Sequence, residues 1–344
     1  MTLPSTLDVV TFGEVMAMFV AEEPGPLEHV VRFRRALAGA ETNVATGLAR
    51  LGHRVGWVGR VGDDPFGRFA LTELAAAGVD TTAVTLDSDA PTGFQLKSRV
   101  DGCNRSGHDA STPHFVRGGR SAPDHCDPEV VYFRRNSAGS RLAPSPATDA
   151  YVATARHLHV TGIPLALSAS ARDFAFRAVD VARAAGATIS FDPNLRPTLW
   201  ASPQEMVRVV NEMAARADWV LPGLAEGHLL TGCPDADGVA AFYLERGASC
   251  VVIKNGGAGA SAHTADGRVD QPVFPVRVVD TVGAGDGFAA GLISASLDGL
   301  DLPARLRRAA AVGALATTSP GDKDGLPTRT ELEAFVAGHA VPVG

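Results

Sequence analysis

The chain has 344 residues, of which 45% are hydrophobic and 20% are charged, so it can bury a substantial core in one large α/β domain or in two lobes. Its net charge of −7 disfavours nucleic acid or an anionic membrane as the main partner. The N-terminal residues do not resemble a signal peptide, and no apolar stretch is long enough for a membrane span. The cysteines, which lack CxxC spacing, favour a reduced cytoplasmic protein over a disulfide framework or a zinc site.

Apolar stretches alternate with helical patterns along most of the chain, which predicts a largely parallel, doubly wound sheet. The predicted strands are residues 9–12, 55–58, 157–163, 188–191, 219–221, 251–254 and 276–279. The predicted helices are residues 43–51, 65–78, 169–185, 203–215, 302–317 and 329–337, with a further helix opening at Gly287. The overall pattern is that of an α/β fold.

Two stretches break this alternation, residues 16–37 and residues 92–134. Both read as extended or loop-rich, and such excursions from an α/β core predict a small lid over the site. The second stretch contains residues 101–128, whose composition is typical of a mobile insertion loop. The cysteines and histidines of this insertion are irregularly spaced and do not indicate a metal site. We therefore predict a single domain over residues 5–340 with a lid built from two segments.

The segment richest in chemistry is the run Asp280-Thr281-Val282-Gly283-Ala284-Gly285-Asp286. A strand, a glycine turn and a helix start bring backbone N–H groups and the positive end of a helix dipole together, which makes an anion site. A carboxylate inside such a site needs a role, and taking a proton from an attacking hydroxyl group fits Asp286. The alternatives are an ordinary helix N-cap and a dinucleotide fingerprint, although the third glycine of that fingerprint is missing.

Together these features resemble the PfkB (ribokinase-like) family of carbohydrate kinases. The run just described is the C-terminal signature, and its N-terminal counterpart is Ala38-Gly39-Ala40-Glu41-Thr42-Asn43 followed by Gly59-Arg60-Val61-Gly62-Asp63-Asp64-Pro65-Phe66-Gly67. The resemblance implies a Rossmann-like three-layer α/β/α core with a small β-sheet lid, and transfer of the ATP γ-phosphoryl group to a sugar hydroxyl. Asp286 then matches the catalytic base, and the amides of Gly283, Ala284 and Gly285 match the anion hole.

The resemblance also assigns residues to the nucleotide. Lys254, Gly256, Gly257 and Gly259 lie in a segment that matches the family's glycine segment beside ATP, although by itself the segment reads as a hairpin turn. Ala310 replaces an asparagine that is often found near the adenine.

For the metal, Glu226 retains the acid of a family motif that is tied to magnesium and phosphate, while Gly223 replaces the asparagine of that motif. Glu226 could order Mg²⁺ through water, or it could be an ordinary solvated acid on a helix. By analogy with the family a monovalent cation could lie near the turn at Asp280, and Asp280 could equally serve only to cap that turn.

A narrower resemblance is to the group within this family that phosphorylates 2-keto-3-deoxygluconate. It rests on Gly13-Glu14, on the segment from Val131 to Ala138, and on Phe191-Asp192-Pro193-Asn194-Leu195-Arg196. The substrate-binding residues that the resemblance implies are Gly39, Asn43, Tyr132, Arg134 and Arg196. An aldonic acid carries a carboxylate, which arginine binds with a planar and often bidentate fork.

Departures from the pattern leave alternatives open. Ala38 replaces a glycine, and Gln95 stands where the sugar-acid group commonly has a lid tyrosine, with Lys97 as the basic position that follows. The predicted function is ATP-dependent phosphorylation of the terminal primary hydroxyl of 2-keto-3-deoxygluconate. The alternatives are a kinase for a neutral sugar such as fructose or ribose, and a non-catalytic sugar-binding protein. Exposed lid strand edges could also pair with a second copy of the chain to form a homodimer.

Overall fold

The computed structural model of the chain describes residues 7–99 and 128–339. The predicted insertion at residues 101–128 lies, apart from Pro128, outside the described residues, as do Cys103 and Cys126. Within the described ranges, no helix combines the length and apolarity that a membrane span requires.

The strands, in chain order, are β1 (Leu7–Gly13), β2 (Met16–Pro24), β3 (Phe33–Ala38), β4 (Val55–Gly62), β5 (Val79–Asp80), β6 (Thr85–Asp87), β7 (Phe94–Arg99), β8 (Val130–Phe133), β9 (Ala155–Thr161), β10 (Thr188–Asp192), β11 (Trp219–Val220), β12 (Cys250–Lys254), β13 (Ala260–Thr264) and β14 (Gly267–Gln271). The helices are α1 (Ala40–Arg50), α2 (Pro65–Ala76), α3 (Pro146–Val152), α4 (Ile163–Leu167), α5 (Ala169–Ala184), α6 (Pro203–Ala214), α7 (Leu224–Thr231), α8 (Ala236–Leu244), α9 (Ala284–Leu297), α10 (Leu302–Ala316) and α11 (Arg329–Gly338).

The large sheet has the strand order β14-β13-β12-β11-β10-β9-β1-β4-β5, with β6 pairing on β4. Neighbours from β12 through β5 are parallel, whereas β13 and β14 are antiparallel additions at one edge. Because parallel strands end at the same side of a sheet, β1, β9 and β10 deliver the residues that follow them to one edge. The predicted α/β fold is confirmed.

The side chains of β1 show how the three layers are held together. Val9 packs into the apolar cluster beneath α1, α2, α9 and α10, whereas Val10 and Phe12 pack into the cluster beneath α5, α6 and α8. All three residues are fully buried. A strand with both faces covered needs apolar residues on both, which explains the continuous apolar run in the sequence.

A second, four-stranded sheet has the order β3-β2-β7-β8. Its strands come from residues 16–38 and 94–133, and β2 pairs with β7 in parallel although the two are distant in sequence. Met18, Val20, Ala36 and Ala38 form a small apolar core of this sheet. We call this sheet, together with Arg134 directly after β8, the lid, because it lies beside the cavity described below and contributes residues to it.

The predicted strand at residues 276–279 is wrong. No strand is assigned there, and Val278 and Val279 are 45% and 53% exposed. No strand of the described residues pairs with this segment. The N–H groups of Val279 and Asp280 instead donate to the carbonyl of Thr317, directly after α10, at 2.8 and 3.1 Å. A β-branched composition is therefore not sufficient for a strand without a partner on a sheet edge.

Candidate active site

A cavity of about 820 Å³ lies at the edge where β1, β9 and β10 end, between the large sheet and the lid. This volume lies in the range of small-molecule sites. The predicted site residues that line the cavity are Gly39, Asn43, Tyr132, Arg134, Arg196, Glu226, Lys254, Gly256, Gly283, Gly285 and Asp286. Gly257, Gly259 and Ala284 are not among its lining residues, and Gly259 instead lies in the β12–β13 hairpin with a φ of +93°.

Asp286 lies in the first turn of α9, which begins at Ala284, three residues before the position predicted from the sequence. The N-cap of this helix is Gly283, so the alternative that Asp286 is the N-cap is wrong. Asn43 Nδ2 of α1 donates to Asp286 Oδ2 at 2.8 Å, and Asn194 Nδ2 lies 3.5 Å from Oδ1. Burial raises the pKa of Asp286 to about 7, against the hydrogen bond from Asn43, which lowers it.

The glycine turn before α9 has a conformation that other residues would strain. Gly283 has a φ of +83°, and a Cβ atom there would collide with the Asp322 carbonyl oxygen. The first-turn N–H groups of a helix lack acceptors within the helix and mark its positive end, so this turn can bind an anion beside Asp286. Ala284 N–H has a weak internal partner, the Thr281 carbonyl at 3.3 Å.

A second charged group lies at the end of β10. Lys254 Nζ is 2.5 Å from Asp192 Oδ2; the Asp192 side chain is buried, whereas that of Lys254 is 18% exposed. Glu226 accepts hydrogen bonds from the N–H groups of Leu195 at 2.7 Å and Gly223 at 2.8 Å. Burial and the nearby Asp192 carboxylate raise the pKa of Glu226. Glu226 therefore caps α7 from the cavity wall, and it is not the solvated acid of the alternative prediction.

Two buried glutamates, Glu14 and Glu41, line the cavity. Glu14 accepts a hydrogen bond from Ser137 and forms an ion pair with Arg134, and Glu41 accepts a hydrogen bond from Thr161. Burial raises the pKa of Glu41 to about 7. The sequence indicated neither the burial of Glu41 nor its hydrogen bond with Thr161, because Glu41 lies in α1 and Thr161 lies at the end of β9, 120 positions away.

The substrate residues implied by the resemblance line the same cavity. Gly39, the N-cap of α1, has a φ of +149°, and a Cβ there would lie 2.7 Å from the Glu14 carbonyl oxygen. Arg196 Nη1 donates to the carbonyls of Leu195 at 2.9 Å and Asn194 at 3.3 Å, which fixes its guanidinium at the end of β10. Tyr132 is 47% exposed on β8 and its ring lies 5.8 Å from the Arg134 guanidinium carbon.

Five buried polar atoms of residues that line the cavity have no hydrogen-bond partner among the described residues. They are Asn43 Oδ1, Arg134 Nε, Glu41 Oε2, His228 Nε2 and Glu14 Oε2, the last of which forms an ion pair with Arg134. Because buried polar atoms are ordinarily paired, an acceptor and a donor left open at one cavity fit a polar ligand with hydroxyl and acceptor groups. Across the described residues no cluster of three or more His, Cys, Asp or Glu side chains is arranged to hold a metal ion.

The lid reaches the glycine turn through Lys97 of β7. Its Nζ atom lies 2.5 Å from Asp280 Oδ2 and 2.9 Å from Asp322 Oδ1. Lys97 and Asp322 line the cavity. The sequence indicated Lys97 only as a basic lid position and did not indicate Asp322, which lies in a polar loop without a recognisable motif.

Related proteins of known name match nearly the whole chain. It is 49% identical to 2-dehydro-3-deoxygluconokinase of Bacillus subtilis (strain 168) over 96% of both chains. It is 32% identical to 2-dehydro-3-deoxygluconokinase of Thermoproteus tenax, covering 96% of this chain and 94% of the relative. The 5-dehydro-2-deoxygluconokinase of Geobacillus kaustophilus (strain HTA426) is 30% identical, with 97% and 94% covered.

Solved structures share the same architecture. A PfkB protein from Polaromonas sp. JS666 has a TM-score of 0.82 and 46% identity, covering 96% of this chain and all of that chain. A candidate ribokinase II from E. coli, solved with ATP and Mg²⁺, has a TM-score of 0.84 and 27% identity, with 97% and 100% covered. The family described as pfkB family carbohydrate kinase matches residues 6–105 and 123–329. The chain therefore belongs to the PfkB family of carbohydrate kinases.

Proposed function

We propose that this kinase transfers the γ-phosphoryl group of ATP to the terminal primary hydroxyl of 2-keto-3-deoxygluconate, which is also called 2-dehydro-3-deoxygluconate. The observation that carries the proposal is that one cavity contains a carboxylate at a helix N-terminus, Asp286, and two guanidinium groups, Arg134 and Arg196. A sugar acid needs both a base for its hydroxyl and positive charge for its carboxylate. The 49% identity to a kinase named for this substrate supports the same choice.

Asp286 is proposed as the general base. It removes the hydroxyl proton while the sugar oxygen forms a bond to the γ-phosphorus and the bond from that phosphorus to the β–γ bridging oxygen breaks, which leaves ADP. A base works best when its pKa lies near the working pH, and the pKa of Asp286 is about 7. The amides of Gly283, Ala284 and Gly285 then stabilise the charge on the transferred group.

Arg134 and Arg196 are proposed to bind the substrate carboxylate, with Tyr132 against the sugar. The open donor at Arg134 Nε supports this, since a carboxylate oxygen would satisfy a buried N–H group that otherwise costs free energy. Arg196 is held through Nη1 by backbone carbonyls, so its other nitrogens can donate to a ligand. Asn43 Oδ1 is an open acceptor for a sugar hydroxyl beside Asp286.

The nucleotide is proposed to lie along Lys254 and Gly256, with Gly257 and Gly259 shaping the adjacent hairpin. Glu226 is the proposed acid for Mg²⁺, which keeps most of its water and takes few protein ligands beside phosphates. The residues fit that mode, because Glu226 is held beside the cavity by backbone amides and no metal cage exists among the described residues. When bound, Mg²⁺ would screen the phosphate charge.

A neutral sugar is the second candidate substrate. The Glu14 carboxylate is ion-paired with Arg134 and so offsets the charge that would attract a sugar acid. Gln95, buried in the lid, donates to Met18 Sδ at 3.2 Å instead of presenting the tyrosine of the sugar-acid group. This arrangement would suit hydroxyl groups as well as a carboxylate.

The test is ATP-dependent phosphorylation of a panel with Mg²⁺: 2-keto-3-deoxygluconate, 5-dehydro-2-deoxygluconate, 2-ketogluconate, fructose and ribose. We expect a preference for 2-keto-3-deoxygluconate, with Asp286→Asn losing about 10²-fold or more in kcat. Arg196→Met should raise KM for the sugar acid about tenfold or more while leaving any turnover of fructose unchanged. A preference for fructose or ribose that Arg196→Met does not alter would refute the sugar-acid proposal and keep the kinase.

Two further expectations accompany the proposal. We propose a cytoplasmic enzyme, as the cysteine pattern suggests. We also propose that the lid edges mediate a homodimer, since β3 and β8 are edge strands and Phe133 on β8 is 47% exposed. Sedimentation of the wild type and of Phe133→Lys tests this, and a wild-type monomer at micromolar concentration would refute it.

A further inference from the structure

Lys97 connects the lid to the turn that precedes α9 through two carboxylates. Its Nζ atom is 2.5 Å from Asp280 Oδ2 and 2.9 Å from Asp322 Oδ1. Lys97 is 2% exposed, and the two acids are 8% and 5% exposed. These three residues, which we call the lid–turn triad, come from positions far apart in the sequence and meet only when the lid rests on the large sheet.

Each acid of the lid–turn triad supports one side of the glycine turn. Asp280 Oδ1 accepts the N–H group of Val282 at 3.0 Å, which holds the segment before the turn. The backbone of Asp322 lies directly against Gly283, so closely that a Cβ atom on the glycine could not fit. A movement of either acid therefore moves the backbone whose amides face the phosphate.

The charges within the lid–turn triad are strongly coupled. Burial alone would lower the pKa of Lys97, but the attraction of Asp322 and Asp280 raises it, so the ammonium group keeps its charge at neutral pH. Burial raises the pKa of Asp322 despite Lys97. Without the lysine, two buried acids would face each other with no cation, and removing one partner of a buried ion pair is strongly unfavourable.

We propose that Lys97 is a positioning residue for phosphoryl transfer: its ammonium group, carried by lid strand β7, fixes Asp280 and Asp322 and through them the anion-binding turn. The inference rests on the proposed kinase function. It also bears on the monovalent cation expected beside Asp280. Oδ2 of that carboxylate already contacts the Lys97 ammonium group, and Oδ1 accepts the Val282 N–H group, so the residues present do not fit a second cation there.

The proposal differs from a purely structural role for Lys97. A lysine that only fastened the lid would affect sugar binding, because the lid also carries Gln95 and Arg134, and its loss would raise KM. A lysine that sets the turn affects the transition state, because the turn amides bind the phosphoryl group most strongly when charge develops on it. Its loss lowers kcat, and a small misplacement of catalytic groups can cost about 10²-fold.

The experiment compares Lys97→Met, which keeps the buried stem and removes the charge, with Lys97→Arg and with a matched control. The control is Arg34→Met. Arg34 of β3 forms another ion pair from the lid, with Asp324 at 3.2 Å, two residues after Asp322, but the side chains of Arg34 and Asp324 are both about 40% exposed. Exposed pairs of this kind contribute little. Wild-type turnover of 2-keto-3-deoxygluconate is measured first, so that a failure of the proposed function is recognised separately.

We expect Lys97→Met to lower kcat about 100-fold with KM for the sugar acid changed less than about threefold, and Arg34→Met to match the wild type. Lys97→Ala should regain turnover when methylammonium or propylammonium is added, whereas an uncharged alcohol of the same size should not restore it. A kcat for Lys97→Met within twofold of an active wild type, or a rise in KM alone, overturns the proposal.

A second variant covers the case in which Lys97→Met does not fold. The double variant K97M/D322N removes one buried acid together with the cation, which relieves the repulsion between the acids. Circular dichroism should show a folded protein, and we expect its kcat to stay low because Asp280 still lacks its cation. Recovery of wild-type kcat in this folded double variant would overturn the proposal, since charge balance alone would then suffice.

Discussion

The replacement of Asp286 by asparagine should stabilise the protein, and the gain should depend on pH. The Asp286 carboxyl is buried, and its pKa in the folded protein is about 7 against an ordinary value of 3.8. Between these two values the unfolded chain releases the proton while the folded protein keeps it. The folded protein therefore loses stability as pH rises through this window, by linkage. Asparagine does not titrate and avoids that loss, while it can still accept the hydrogen bond from Asn43.

The magnitude follows from the difference between the two pKa values. About three pH units at 1.36 kcal/mol each give about 4 kcal/mol above pH 7, and relaxation around the charge reduces this to about 2–4 kcal/mol. Below about pH 3 the carboxyl is mostly protonated in both states, so the difference between Asp286→Asn and the wild type should nearly vanish there and should already be small at pH 4. Stability that increases when activity is lost is the expected behaviour of a catalytic group whose burial disfavours its charged form.

Urea denaturation at pH 4, 6 and 8 measures the free energy of unfolding of both proteins. Asp298→Asn is a control of opposite sign, because Arg329 and Arg308 lower the pKa of Asp298 despite its partial burial. Asp298→Asn should lower the free energy of unfolding above pH 4, where the carboxylate is charged, and should change it little at lower pH, where the carboxyl becomes protonated. A stability gain for Asp286→Asn that is the same at pH 4 and pH 8 would refute the assignment of a buried, titrating carboxyl at this position.

Two further predictions concern the surroundings of Asp286. Asn43→Leu removes the hydrogen bond that lowers the pKa of Asp286, so the acidic midpoint of the pH profile of kcat/KM should rise by about one pH unit. Asn194→Ala should move this midpoint less, because Asn194 Nδ2 lies 3.5 Å from the carboxylate. An equal shift in the two variants would contradict the geometry. Gly283→Ala should lower kcat about 10²-fold, because the alanine methyl group would collide with the Asp322 backbone. Gly186→Ala is the control, since Gly186 has a similar φ of +81° but open surroundings, and it should lower stability and leave kcat unchanged. Equal kinetics in the two variants would show that the turn is not needed.

The local parts of the site could be predicted from the sequence, because their signals are contiguous. A glycine turn that opens a helix defines an anion site whatever surrounds it, and so Asp286 and Gly283 were correctly placed together at a helix start. The helix start itself was predicted three residues late, since alanine and glycine give no apolar periodicity that would show where the first turn begins.

The parts that depend on tertiary pairing could not be predicted. Residues 276–279 have a strand composition, but strand formation depends on whether a neighbouring strand is present, and the sequence does not contain that information locally. Lys97 and Asp322 are separated by 225 positions. Similarly, a fully buried Glu41 could not be distinguished from an exposed acid in the first turn of a helix, where acids are common.

The parallel pairing of β2 with β7 has a consequence for the order of folding. Ala17 lies opposite Phe94, and the chain between them forms β3, α1, β4, α2, β5 and β6. A pair that encloses this many elements is expected to form slowly, because the entropy of loop closure opposes it until contacts within the enclosed segment exist. The lid is thus expected to form late in folding. Since Arg134 and Lys97 belong to it, a refolding chain should regain its helical signal before it regains turnover.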